Sequence, residues 1–100
     1  MLLYNVTFIV EEASASEWLD WMQQVHIPKA LATGAFISNK LLRVVDSPNE
    51  GITFCSQYTA GHMADYLTFK ELQEPALDEE LNIRFKDRFV SFRTLMEYIA

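Results

Sequence analysis

Four stretches of this chain alternate apolar and polar residues with a period of two, and helical periodicity separates the first from the second and the third from the fourth. From Leu2 to Val10, the residues Tyr4, Val6, Phe8 and Val10 fall on one face and Leu3, Asn5, Thr7 and Ile9 on the other, as a half-buried strand requires. Phe36 to Val45 and Ile52 to Thr59 read as two further strands. The turn formers Asp46-Ser47-Pro48-Asn49-Glu50-Gly51 join them into a β-hairpin. Phe89 to Ile99 alternates again, with Val90, Phe92, Thr94, Met96 and Tyr98 opposed to Phe89, Ser91, Arg93, Leu95 and Glu97.

The intervals are helical. Ser14 and Glu17 have the spacing of a capping box, and Trp18, Met22 and Val25 then form a stripe flanked by Leu19, Trp21 and His26. Pro28 lacks an N–H and its ring crowds the preceding turn, which predicts a kink or restart near His26-Ile27. Gly34 stands where a left-handed residue would end the second piece. His62 to Gln73 reads as the next helix. Pro75 suits the first turn of another, in which Leu77, Leu81 and Phe85 recur every four residues. Asp78, Glu79 and Glu80 near its start and Lys86 and Arg88 near its end complement the helix dipole.

The order βαββαβ predicts an α+β, ferredoxin-like fold, with residues 1–100 as one domain. Short crossovers bring the helices to one face of a four-stranded antiparallel sheet. The helices are expected over the apolar faces led by Phe8, Phe54 and Phe92. The other face is expected to carry Asn5, Thr7, Thr53, Cys55, Gln57, Ser91 and Arg93. Leu3, Ile9, Leu95 and Ile99 would share it, which makes water a poor environment and a second copy of the chain the expected partner.

Composition narrows the function classes. Eight Lys plus Arg against fourteen Asp plus Glu leave a formal charge of −6. The basic residues are mostly scattered, so neither nucleic acid nor an anionic membrane surface is an expected partner. Cys55 is the single cysteine, so no intrachain disulfide forms. No leader pattern and no bilayer-length apolar run is legible, and the expected location is the cytoplasm.

Tyr4-Asn5-Val6-Thr7, Glu17-Trp18-Leu19-Asp20-Trp21-Met22, Val25-His26-Ile27-Pro28, Thr33-Gly34-Ala35-Phe36 and Phe92-Arg93-Thr94-Leu95 resemble a family of short bacterial proteins classed as a domain of unknown function. The resemblance spans essentially the whole chain, and the Trp-rich helix followed by His-Ile-Pro is its most specific part. That family is similar to the dimeric α/β-barrel group, in which two ferredoxin-like sheets close on each other. The resemblance implies a fold and a homodimer. It implies no single activity, because the wider group includes quinone-type monooxygenases, haem-degrading enzymes, dismutases and ligand sensors.

His26 is the leading single candidate. It lies beside the apolar stripe and just before the Pro28 break, where a neutral imidazole could serve as a base or, equally, cap a loose carbonyl. Tyr4, Trp18, Trp21, Met22, Phe36 and Tyr58 are candidates to line a pocket for a flat ligand, although large side chains are also what a small core needs. Asn5, Gln57 and Arg93 are expected to gather on the second sheet face. There Arg93 could clamp a carboxylate or pair with Glu97 in a network that locks a dimer. His26 and His62 lack metal-ligand spacing, and no metal or cofactor is expected. A haem held by one histidine remains a third class. The best reading is a small-molecule-binding homodimer, extended to a cofactor-independent enzyme acting on an aromatic or carbonyl compound, with His26, Trp18, Trp21 and Tyr58 in one site. The alternative is a non-catalytic interaction or structural module.

Overall fold

The computed structural model describes residues 1–100. Strands β1 (Leu2–Val10), β2 (Ser38–Arg43), β3 (Ile52–Ala60) and β4 (Phe89–Glu97) form one antiparallel sheet in the order β2-β3-β1-β4. Helix α1 (Ala15–Trp21) runs through a π turn, Met22–His26, into α2 (Ile27–Ala32). Helix α3 (Met63–Thr68) runs through a second π turn, Phe69–Gln73, into α4 (Glu74–Arg84). With each pair counted as one interrupted helix, the order is the expected βαββαβ.

The two interruptions share a cause. Ile27 N–H bonds the Met22 carbonyl and Glu74 N–H bonds the Phe69 carbonyl, each five residues back. Each is followed at once by a proline, Pro28 or Pro75. A proline cannot donate to the carbonyl four residues back, and its ring would strike it. One widened turn makes room, so the helix continues where the sequence predicts a kink.

Both helix pairs cover one face of the sheet, and the molecule is only 19 Å through its thinnest axis. Tyr4, Val6, Phe8 and Val10 point at the helices, with Phe54, Tyr58 and Ala60 beside them, all buried. Trp18 is fully buried, its ring 5.0 Å from Phe8 and 4.9 Å from Phe54 between centroids. Burying each such ring contributes about 2–3 kcal/mol.

Strand β4 departs from expectation. Val6 opposes Arg93, Phe8 opposes Ser91, Tyr4 opposes Leu95 and Thr7 opposes Phe92. Directly opposed residues share a face. Ser91, Arg93 and Leu95 therefore lie on the helix side, and Phe92 lies on the open face, 59% exposed. The turn before the strand sets this phase. Asp87 takes a left-handed conformation at φ 63°, and Glu11 N–H bonds the Arg88 carbonyl at 2.8 Å. Phe89 is thereby placed opposite Val10, with its ring 5.9 Å from Phe8.

Smaller departures have local reasons. Ser14 precedes α1 but makes no capping bond; its hydroxyl donates to the Glu11 carboxylate at 2.9 Å. Strand β2 begins two residues later than expected because Phe36 turns into the core, while Ile37 N–H already bonds the Thr59 carbonyl. Strand β4 ends at Glu97, before Ile99. Gly34 does take the left-handed conformation expected of it, at φ 81°.

Candidate functional site

Where the second π turn passes over the sheet, it sets charged groups against the helix-facing side of β1 and β4. Glu74 opens α4 and is buried. Tyr4 donates its hydroxyl to the Glu74 carboxylate. Lys70, one turn earlier, donates to the other carboxylate oxygen at 2.6 Å and lies 3.4 Å from the Tyr4 hydroxyl. Arg93 reaches in from β4, with Nε 3.6 Å from Glu74 and a terminal nitrogen 2.8 Å from the Asp78 carboxylate. Two cations thus face two carboxylates, and the cluster is neutral while Tyr4 keeps its proton.

Tyr4 keeps it firmly. Burial, and then the Glu74 carboxylate that accepts its hydrogen bond, raise its pKa well above the ordinary phenol value. Burial raises Asp78, against the pull of Arg93. Burial would lower Arg93, but Asp78, Tyr4 and Glu74 together raise it. Arg93 was expected beside Asn5 and Gln57 with Glu97 as its charge partner. The reversed phase of β4 puts it on the opposite side of the sheet, with Asp78 and Glu74 instead.

The other sequence candidates fall into three groups. Tyr58 lies opposite Tyr4 across the β1–β3 pair and is buried under Phe36, 4.7 Å away between ring centroids. Its hydroxyl makes no hydrogen bond of ordinary geometry, and burial pushes it up to about 12 against the opposing influence of the Ser56 hydroxyl. Phe36 also touches Phe69, at 4.7 Å, and Tyr4. His26 closes the first π turn, buried, its ring 5.7 Å from Trp21. Its Nδ1 has no partner. Burial lowers its pKa to about 4, against the charges of Glu80 and Glu74, so it stays neutral near pH 7. Trp18 and Met22 belong to the core, and the Trp18 indole N–H is also unpaired.

Asn5 and Gln57 form the third group, paired across the open face. Asn5 donates to the Thr7 hydroxyl at 3.0 Å, and its own carbonyl oxygen is buried without a partner. Glu74, Lys70 and Asp78 were not among the sequence candidates. The i,i+4 spacing of Lys70 and Glu74 beside Pro75 is the one signal that could have found them, and it is also the pattern of an ordinary exposed helix face. No three His, Cys, Asp or Glu side chains converge as a metal site would need, and no helix is long and apolar enough to cross a membrane.

A βαββαβ sheet with helices on one face and a charge cluster beneath them defines a ferredoxin-like α+β protein. The chain belongs to the family described as "Domain of unknown function (DUF4286)", whose model matches residues 1–99. Solved structures share the fold. A dimeric ferredoxin-like protein from an uncultured marine organism is 13% identical, with 100% of this chain and 96% of that one covered and a TM-score of 0.75. SnoaB from Streptomyces nogalater, described as a cofactor-independent oxygenase, is 14% identical over 99% and 93%, with a TM-score of 0.73. HapK from Hahella chejuensis is 12% identical over 100% and 94%, also with a TM-score of 0.73. No curated protein matches in sequence.

Proposed function

We propose that the protein is a homodimer that takes a small aromatic or carbonyl compound between its helices and sheet and acts on it without a resident cofactor. One observation carries this reading. His26 Nδ1 and the Tyr58 hydroxyl are buried with no hydrogen-bond partner, although neither residue lines a cleft on the molecule, so a ligand reaching them has to open the packing between helices and sheet. Folded proteins seldom strand such atoms, and a ligand is one way to satisfy them. The Tyr58 hydroxyl can donate to a ligand carbonyl. A neutral His26 can accept from a ligand hydroxyl. Widened helical turns frequently accompany functional sites, and both of them contribute here. The description of SnoaB as a cofactor-independent oxygenase makes oxygen uptake the first activity to assay.

The test uses quenching of Trp18 and Trp21 fluorescence and oxygen consumption, with a panel of hydroxy-aromatic and quinol compounds. A binder should lose about tenfold or more in affinity with Tyr58→Phe, the loss of one buried hydrogen bond. A binder whose affinity is untouched by both Tyr58→Phe and His26→Asn places the site elsewhere.

A second reading, a non-catalytic interaction module, is favoured by a specific observation. Tyr4, Phe36 and Phe69 close around Tyr58, with centroids 4.7–6.4 Å apart, so a ligand would have to displace packed rings. A panel with no binder and no oxygen uptake would select it.

A further inference from the structure

The open face of the sheet is ordered in rows. Directly opposed residues share a face, so the strand registers set Lys40, Gln57, Asn5 and Thr94 in one polar row across all four strands. The row on one side of it runs from Leu42 to Phe92, and the row on the other from Ser38 to Met96. None of the fourteen Asp and Glu residues lies in these three rows, and Lys40 is their one charged member.

Asn5 is out of place in such a row. No helix covers this face, yet Asn5 is only 9% exposed. Its amide nitrogen donates to Thr7 at 3.0 Å, and its carbonyl oxygen is buried with no partner. The three other buried polar atoms without partners belong to Trp18, His26 and Tyr58, on the helix side of the sheet. Gln57 stands directly opposite Asn5, and its amide leaves that oxygen unbonded.

The chemistry of the row selects its occupant. A carboxamide both donates and accepts, so a row of amides is complementary to a copy of itself. A chain of charge −6 repels itself least where carboxylates are absent, and they are absent here. Facing sheets stand about 10 Å apart, a gap that an Asn from one side and a Gln from the other can bridge. Lys40, on the edge strand, is exposed and keeps its ammonium in water.

We propose that this row is the lock of the homodimer: with two open faces paired about a two-fold axis, Gln57 of each copy donates to the stranded Asn5 carbonyl of the other. The proposal rests on the homodimer in the reading above. The apolar rows supply the buried area, and Asn5 and Gln57 fix how the two sheets align, as single buried amides fix the register of helical pairs.

The test measures the dissociation constant of the full chain by sedimentation. Gln57→Leu removes two hydrogen bonds per dimer and should weaken association about tenfold or more. The double variant Asn5→Leu/Gln57→Leu removes donor and acceptor together and should regain most of that loss. In a dimer mixed from isotope-labelled and unlabelled chains, NMR should detect the Gln57 side-chain amide protons against Asn5 of the other copy. A wild-type monomer removes the homodimer and the lock with it. A wild-type dimer in which Gln57→Leu leaves the dissociation constant unchanged keeps the homodimer and overturns the lock, as does a double variant no tighter than Gln57→Leu alone.

Discussion

Glu74 is the residue on which the buried polar layer turns, because its carboxylate receives Tyr4 and Lys70 and faces Arg93. Removing one member of a buried ionic group leaves the others uncompensated, which costs more than the intact group contributed. Arg93 keeps Asp78 at 2.8 Å, so the loss falls on Lys70 and Tyr4. Urea unfolding of Glu74→Ala should show a loss of about 3 kcal/mol, and Tyr4→Phe a loss of about 1–3 kcal/mol. A Glu74→Ala loss below about 1 kcal/mol would put the cluster in the class of exposed ion pairs. His26 supplies a pH dependence of known sign. Its pKa falls from 6.5 to about 4 on folding because burial disfavours the cation. Above pH 6.5 neither the folded nor the unfolded form binds the proton. As the pH falls from 6.5 towards 4, only the unfolded form gains it, so folding stability declines by about 1.4 kcal/mol per unit. His26→Gln should unfold with a shallower dependence between pH 6.5 and pH 5; an unchanged slope would mean that other groups dominate this window.

At the scale of elements, the turn that closes the β2–β3 hairpin is the most demanding. Gly51 adopts φ 85°, and a Cβ there would meet the Val10 carbonyl oxygen at 2.6 Å. Gly34 adopts φ 81° with nothing within 4 Å of the same atom. Both substitutions incur the left-handed penalty of about 1–2 kcal/mol, and only Gly51→Ala adds a backbone collision. Chemical denaturation should therefore rank Gly51→Ala well below Gly34→Ala, and equal stabilities would mean that the hairpin shifts freely. The element order, the places where both prolines interrupt a helix and the Gly34 stop were legible in the sequence, because each rests on strictly local chemistry, whereas the widened turns that carry the helices past the prolines were not. The phase of β4 was not. Phe92 and Met96 on one alternating set and Phe89 and Leu95 on the other give two apolar faces of similar weight, so periodicity could not choose between them. The Asp87 turn and the carboxylates awaiting Arg93 decide it, and both act across distance. The candidate site was half legible for the same reason. The aromatic residues and His26 stand out by type, whereas Glu74 and Asp78 gain their meaning only from the strand that faces them.

The whole molecule has one face covered and one bare, and the reversed phase of β4 makes the bare face more apolar than the sequence predicts. Phe92, Val90 and Met96 project from it at 59%, 54% and 41% exposure, with Leu42 on the edge strand at 45%. A patch of this kind on a small protein marks an association surface. Beneath it, the Asn5 carbonyl oxygen is buried with no partner and adjoins Gln57 on the neighbouring strand. A second copy packed sheet on sheet would cover the apolar rows and could bring its own amides to that oxygen, since a two-fold interface places the same residues on both sides. Light scattering should then report twice the 11.6 kDa of one chain at micromolar concentration. Phe92→Glu puts a carboxylate from each copy into the joint, and the desolvation it forces should weaken self-association about a hundredfold, or about 3 kcal/mol. Ile83→Glu, at a position 74% exposed on α4, should leave the dimer intact, because it alters the opposite surface. A wild-type protein that scatters as 11.6 kDa would remove the interface altogether, and an Ile83→Glu variant that dissociates while Phe92→Glu does not would move it from the sheet to the helices.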